Sequence, residues 1–409
     1  MKNLRYTSLI LAVWLVVVAL ATLLTFVTST TQVADQIDLM EQSATLTKQC
    51  QDAIKARKQQ LGISISETDK FATGMIGIPS WEYFDGSYGD YIDEYKGLLA
   101  ITTTEGDLQA KLTSCDPNWA ALMISLYQRA NLKPGDQVGM VFSGSFPAMN
   151  LAVLASAQVY GLDICVMSGI GASYFGANDP RFTFFEMVNY LCDIGLLTHR
   201  IDYVSLGGED DVLKNVNSLK AEAKPYIDRI QDVIANSTST YIYQPDYSTN
   251  VSQRIQYLDS QLPQMKFFIN VGGTMVGLGK AFSAFTKVGY VSANKKYSTG
   301  ERNDNVGLLQ YYNEQGLPVA NFLNFHQLSL WYNVPYVDET CTVAPQIGLT
   351  DYNVQRGYYS FYYDKSYSPV YAIVALSISA VLSVLYLLCR KKYQTEPNHN
   401  TRNQLLNRK

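Results

Sequence analysis

Gln137–Tyr160, QVGMVFSGSFPAMNLAVLASAQVY, changes its hydrophobic period in the middle. Val138 to Phe142 is an unbroken apolar run, Ser143-Gly144-Ser145 is turn chemistry, and from Pro147 onward Met149, Leu151, Val153, Leu154 and Val159 fall at helical spacing. The pattern predicts a buried strand, a tight turn and a helix. Proline at the first helical position gives up an amide hydrogen that the helix would leave unbonded anyway, and the N–H groups around it favour an anion. The same turn lifts Ser143 or Ser145 to the tip of a sheet, where a nucleophile can sit. An ordinary βα joint of a doubly wound sheet would look the same.

The alternation continues on both sides. Upstream, Leu98–Ile101 is predicted as a strand followed by Thr102-Thr103-Thr104, and a loop carrying Lys111 leads to a helix with Asp116 as N-cap, Pro117 in first position and Trp119–Ala130 as its body. Downstream, a strand over Asp163–Met167 precedes two glycine-serine loops, Ser168 to Ser173 and Gly176 to Pro180, and Thr183 with Glu186 forms a capping box. Strands over Ile201–Leu206 and Met265–Val271 end in Gly207-Gly208 and Gly272-Gly273. This order predicts an α/β fold with a mainly parallel, Rossmann-like sheet. Its strand-end loops are expected to converge on the carboxyl edge, where open α/β sheets bind ligands. No stretch has the GxGxxG or GxxxxGK[ST] context of a dinucleotide or P-loop site, so no cofactor is expected.

Two stretches fall outside a soluble fold. Leu9–Val27 and Val370–Leu388 carry no charge, are long enough to span a bilayer, and are flanked by Lys2 and Arg5 and by Arg390, Lys391 and Lys392. The expected organisation is a cytoplasmic arm (1–8), a transmembrane helix (9–29), an amphipathic stalk helix (30–62), an extracytoplasmic α/β domain (63–368, core 95–290), a second transmembrane helix (369–389) and a basic cytoplasmic tail (390–409). Both termini are then cytoplasmic and the main domain is exported through a bacterial cytoplasmic membrane. Subtracting the +2 of the arm and the +5 of the tail from the net −4 leaves about −11 on the exported part, which disfavours nucleic-acid binding. In the stalk, Val33, Ile37, Met40, Ala44 and Ile54 recur at roughly helical spacing, and Gly62 ends it. Gly74 to Gly89, with four glycines and several aromatics, is expected to be irregular. Six cysteines without a CxxC spacing and three histidines make a metal site improbable and leave disulfides open.

Three segments together carry a resemblance: ITTTEGDLQAKLTSCDPNWAALM (101–123), the long run GDQVGMVFSGSFPAMNLAVLASAQVYGLDICVMSGIGASYFGANDPRFTFFEM (135–187), and YVSLGG (203–208). The chain resembles the bacterial poly-γ-glutamate system protein family, a membrane-anchored companion of the poly-γ-glutamate synthase, strongly over Leu98–Gly208 and weakly elsewhere. The resemblance implies a role in making, exporting or processing poly-γ-glutamate at the cell surface, with the synthase membrane complex as partner and the polymer or a glutamate unit as ligand. Cys115 stands where the family pattern has threonine or serine.

Three functions are open at this point. A binding role would hold a glutamate-type carboxylate with Thr102, Thr103, Thr104, Ser143, Gly144, Ser145, Ser168, Gly171, Ser173, Gly207, Gly208, Gly272 and Gly273, with Lys111 or Arg181 as counter-charge. Asn178 and Asp179 are a further ligand pair, although Asn-Asp-Pro is more often a turn. A hydrolase or transpeptidase would use Ser145 or Ser143 as nucleophile and His326 or Lys111 as base, but SGSFP departs from GxSxG and His326 lies in no motif. The third role is a structural scaffold that tethers the synthase complex. His199, just past a helix end, is expected to cap it.

Overall fold

The structure, a computed structural model, describes residues 2–80, 96–214, 220–280, 288–293, 305–366 and 368–395. The second half of the expected glycine-aromatic loop, Trp81–Gly89, and the tail from Glu396 onward lie outside the described residues. Contacts divide the chain into two units, Gln36–Tyr362 and a smaller one made of Met1–Asp35 with Tyr363–Lys409.

In the smaller unit, α1 (Lys2–Val27) runs into strand β1 (Thr30–Val33), which pairs antiparallel with β9 (Tyr363–Ser366), and β9 leads into α13 (Pro369–Thr395). The two helices pack side by side, and Ser8–Val27 and Pro369–Leu388 are each long and apolar enough to cross a membrane. Partly covered positions Val17, Ala21 and Thr25 on one helix and Ala375, Ser379 and Leu382 on the other recur every three or four residues. Small residues at such a spacing let two membrane helices approach closely.

The larger unit begins with α2 (Ile37–Gln60), followed by α3 (Leu108–Ser114), α4 (Asn118–Arg129), β2 (Gln137–Ser143), α5 (Pro147–Tyr160), β3 (Asp163–Gly169), α6 (Phe184–Asp193) and β4 (Tyr203–Ser205). Then come α7 (Lys220–Ala235), β5 (Thr240–Tyr241), α8 (Tyr247–Gln261), β6 (Met265–Val271), α9 (Met275–Leu278), β7 (Gly289–Val291), α10 (Leu308–Glu314), β8 (Val319–Phe322), α11 (Phe325–Tyr332) and α12 (Asp351–Arg356). The sheet order is β5-β4-β3-β2-β6-β8-β7, parallel throughout except for β7 against β8. The expected α/β class and parallel sheet are therefore present. From β2 the chain winds outward through β3, β4 and β5, then returns to the other side of β2 with β6, so the order reverses between β2 and β6. Ligands of open α/β sheets bind at such a reversal.

Gln137–Tyr160 folds as its pattern dictates. Val138, Met140, Val141 and Phe142 are buried in the central strand, and Pro147 opens α5, which ends on Gly161 in the left-handed region (φ 78°). The capping box at Thr183 and Glu186 is formed in full. One strand face packs on the other side from α2, α4 and α5: Val141, Cys165, Met167, Phe268 and Val319 meet Tyr247, Val251 and Leu258 of α8 and Leu308, Leu309 and Tyr312 of α10.

Three expectations are corrected. Leu98 closes a short helical segment and Leu99–Ile101 are turns, with Leu99 N–H donating to Lys96 O and Thr102 N–H to Leu99 O, and no ladder forms there. The stalk is not continuous with the first span, and α2 packs on α4, α5 and α6 as a layer of the body. It is held there by buried Met40, Ala44, Thr47, Cys50 and Ile54, whereas Val33 is exposed. Pro117 rather than Asp116 caps α4, although the Asp116 carboxylate still accepts the Asn118 N–H at 2.9 Å. Cys50, Cys115, Cys165, Cys192 and Cys341 are free thiols.

Candidate functional site

The loops at the carboxyl edge do converge, and the reason is their glycines and short side chains. Thr102 bridges to Ala172, Thr103 N–H donates to Ala172 O (2.8 Å), and Tyr174 N–H donates to Thr104 O (3.0 Å). Gly171 N–H donates to Leu206 O (2.8 Å), and Ala177 N–H to Gly144 O (2.8 Å). A Cβ on Gly171 would stand 2.7 Å from Thr103 Cγ2 and 3.2 Å from Gly208 N, and one on Gly144 would stand 2.8 Å from Ile170 O. At the reversal point, Gly272 (φ 88°) lies so close to Ser143 that a Cβ would fall 2.0 Å from Ser143 Oγ. Gly273, beside it, is exposed.

At the centre of these loops lies Lys111. It sits on the short helix α3, whose N-cap Asp107 accepts the Ala110 N–H at 3.0 Å, and the residue is only 2 % exposed. The lysine expected in a loop is thus a buried helical one. Its Nζ donates to Ser145 O and to Ser173 Oγ (2.7 Å), and stands 3.8 Å from the centre of the Phe146 ring. Burial lowers its pKa to about 7, against the weaker opposite pull of Asp107 and Cys115. Desolvation penalises the ammonium form, and among the described residues no carboxylate forms an ion pair with it.

Ser145 and Ser173 are joined separately, since Ser173 N–H donates to Ser145 Oγ at 3.0 Å. The turn is braced from below: Ser145 N–H reaches Ser143 Oγ (3.2 Å), and Asn150 Nδ2 on α5 reaches Ser143 O (2.8 Å). A lysine, two serine hydroxyls and a phenylalanine face therefore share one buried point between α3 and the loops after β2 and β3.

Other candidates have different occupations. The His326 ring is exposed and meets the Tyr336 ring edge-on at 5.0 Å, and no hydrogen bond joins it to Ser143 or Ser145. Its neighbour Phe325 is the residue that packs inward, on Phe146 at 4.7 Å. Asn178 staples the 77–78 segment, accepting from Ile78 N–H (2.8 Å) and donating to Ile78 O (3.1 Å). Asp179 is held by the Arg181 guanidinium at 3.0 and 2.7 Å, so Asn178, Asp179 and Arg181 all have partners within the protein. Ser168 is buried at the end of β3, its hydroxyl donating to Gly169 O at 3.3 Å. His199 pairs with Asp202 (2.7 Å) and not with a helix end.

The sequence left two buried residues unmarked. Phe146 reads as an ordinary apolar residue before Pro147. Lys58, 3 % exposed on α2, reads as part of a solvated face, yet burial lowers its pKa while Asp179 and Asp69 pull it back up. Neither carries a local signal. Among the described residues no cluster of His, Cys, Asp and Glu is arranged to hold a metal. Comparison with protein-family models, with curated proteins and with solved structures found no match.

Proposed function

We propose that this chain is a membrane-anchored, extracytoplasmic component of a poly-γ-glutamate synthesis or export system, and that it binds a glutamate-type carboxylate at the carboxyl edge of its sheet. The family resemblance supplies the polymer, and the two apolar helices with basic flanks supply the membrane and the orientation, with both termini cytoplasmic.

Support for carboxylate binding comes from one observation, a lysine shut away from water whose described partners, Ser145 O, Ser173 Oγ and the Phe146 face, are all neutral. Holding an ammonium there is costly until an anion arrives, so a carboxylate and the lysine charge stabilise one another. The hydroxyls of Ser145 and Ser173 add donors at the same point.

The test is calorimetric titration of the detergent-solubilised full chain with synthetic oligo-γ-glutamate, in buffers of different ionisation heat. Near pH 8 binding should take up protons as Lys111 becomes charged, and Lys111→Met should weaken it by about 10- to 100-fold, the effect of one charge-assisted hydrogen bond. Binding without proton uptake, or undiminished in Lys111→Met, would remove Lys111 from the site.

A further inference from the structure

We infer that Ser173 and Lys111 form an acyl-transfer pair, with Ser173 Oγ as nucleophile, Lys111 Nζ as its general base and Ser145 as an oxyanion donor beside them. The geometry is that of a nucleophile and base in direct reach, Nζ to Oγ at 2.7 Å. Both residues are buried, at 2 % and 7 % exposure, so the base is desolvated. Ser145 Oγ accepts the Ser173 N–H at 3.0 Å, which leaves its own hydrogen to donate towards a charge forming at Ser173. Serine with lysine is a known substitute for serine with histidine, and it requires a lysine that is neutral near pH 7. The lowered pKa of Lys111 meets that requirement.

The substrate class, a γ-glutamyl amide, rests on the function proposed above. Neutral Lys111 takes the Ser173 proton as Oγ attacks the amide carbonyl, forming a C–O bond and an oxyanion that faces Ser145. The ammonium then protonates the departing nitrogen, the C–N bond breaks, and an ester remains on Ser173. Water, deprotonated by Lys111, releases the ester and restores the serine hydroxyl. The new carboxyl group gives its proton to the lysine, and the site is left as a carboxylate facing an ammonium. That end state is the complex of the binding proposal, which makes carboxylate binding the product side of the same chemistry.

The experiment uses the full chain in detergent with two probes. A fluorophosphonate, which reports the nucleophile whatever the natural substrate, should phosphonylate Ser173, located by peptide mass spectrometry. γ-Glutamyl-p-nitroanilide should release p-nitroaniline at a rate that rises with pH through about 7. Asp107, Cys115, the two serines and Phe146 are the groups that face the lysine. Ser173→Ala should abolish both signals while melting like the wild type, and Lys111→Arg should abolish them too, because a guanidinium stays protonated. Ser145→Ala should slow both by about 10- to 100-fold. Absence of labelling in the wild type, or labelling of Ser145 instead, overturns the pair, and if oligo-γ-glutamate still binds, the carboxylate proposal survives alone. Labelled Ser173 without oligo-γ-glutamate binding has the opposite meaning: the pair stands and the ligand assignment fails.

Discussion

The Arg254 guanidinium meets the Asp211 carboxylate at 2.5 Å with side-chain exposures of 1 % and 7 %, an ion pair sealed beneath the loop that follows β4. Ser205 Oγ (2.7 Å) and Asn250 Nδ2 (3.0 Å) complete the carboxylate's partners. The pair holds an awkward backbone, since Asp210, Asp211 and Leu213 all have positive φ, as do Gly207 and Gly208. Non-glycine residues there cost of order 1 kcal/mol each and persist when surroundings enforce them. The loop in turn lies against Gly171, two residues from Ser173.

Arg254→Met should therefore destabilise the chain by about 3–5 kcal/mol, because it leaves the Asp211 charge buried without its partner. Adding Asp211→Asn should recover part of that loss, as read from denaturant midpoints. A double variant no more stable than Arg254→Met would mean that the buried charge is not the cause.

Lys111 makes stability depend on pH with a definite sign. Its folded pKa of about 7 lies below the unfolded value of 10.5, so its contribution is fully present above about 10.5 and is lost as pH falls through about 7. Lys111→Met should therefore gain in melting temperature relative to the wild type on going from pH 10 to pH 6. A pH-independent difference between the two would contradict this.

Gly272→Ala should cost on the order of 2–4 kcal/mol by combining strain with a clash. The residue has φ 88°, and the added methyl would meet Ser143 Oγ at 2.0 Å. In the Ser143→Gly background the clash is absent and part of the loss should return, a comparison that thermal melts can make.

Tyr359 donates to the Asp116 carboxylate at 2.8 Å, across 243 residues of sequence. Burial raises the Asp116 pKa to about 6, so at neutral pH an ionised carboxylate depends on this donor and on Asn118. Tyr359→Phe should cost about 1–3 kcal/mol at pH 7.5 and less at pH 5, where protonated Asp116 no longer needs a donor. Equal losses at both values would argue against an ionised Asp116.

Charge flanking the two apolar helices predicts orientation. A reporter active only outside the cytoplasm should work when inserted after Gly316 and fail when fused after Lys409. The reverse pattern would invert the membrane assignment.

Local rules settled much of this chain from sequence alone. The strand-turn-helix at Gln137–Tyr160, the capping box at Thr183 and Glu186, and the two apolar helices depend on neighbours within a turn or a pleat, so period and capping chemistry suffice to place them. The mainly parallel character of the sheet was legible from the alternation of strands and helices, whereas the strand order came from the structure. Other features depend on contacts that no window of sequence contains. Leu98–Ile101 has strand-like composition but finds no ladder partner, and α2 looks like a stalk until α4 and α5 cover it. Ser145 drew attention by its turn, whereas Lys111 Nζ bonds the Ser173 hydroxyl, 62 residues away. Burial is a property of the assembled body: a lysine shows the same four methylenes and amine in any sequence, and only the packing of α3 between two loops removes its water and brings its pKa near neutrality.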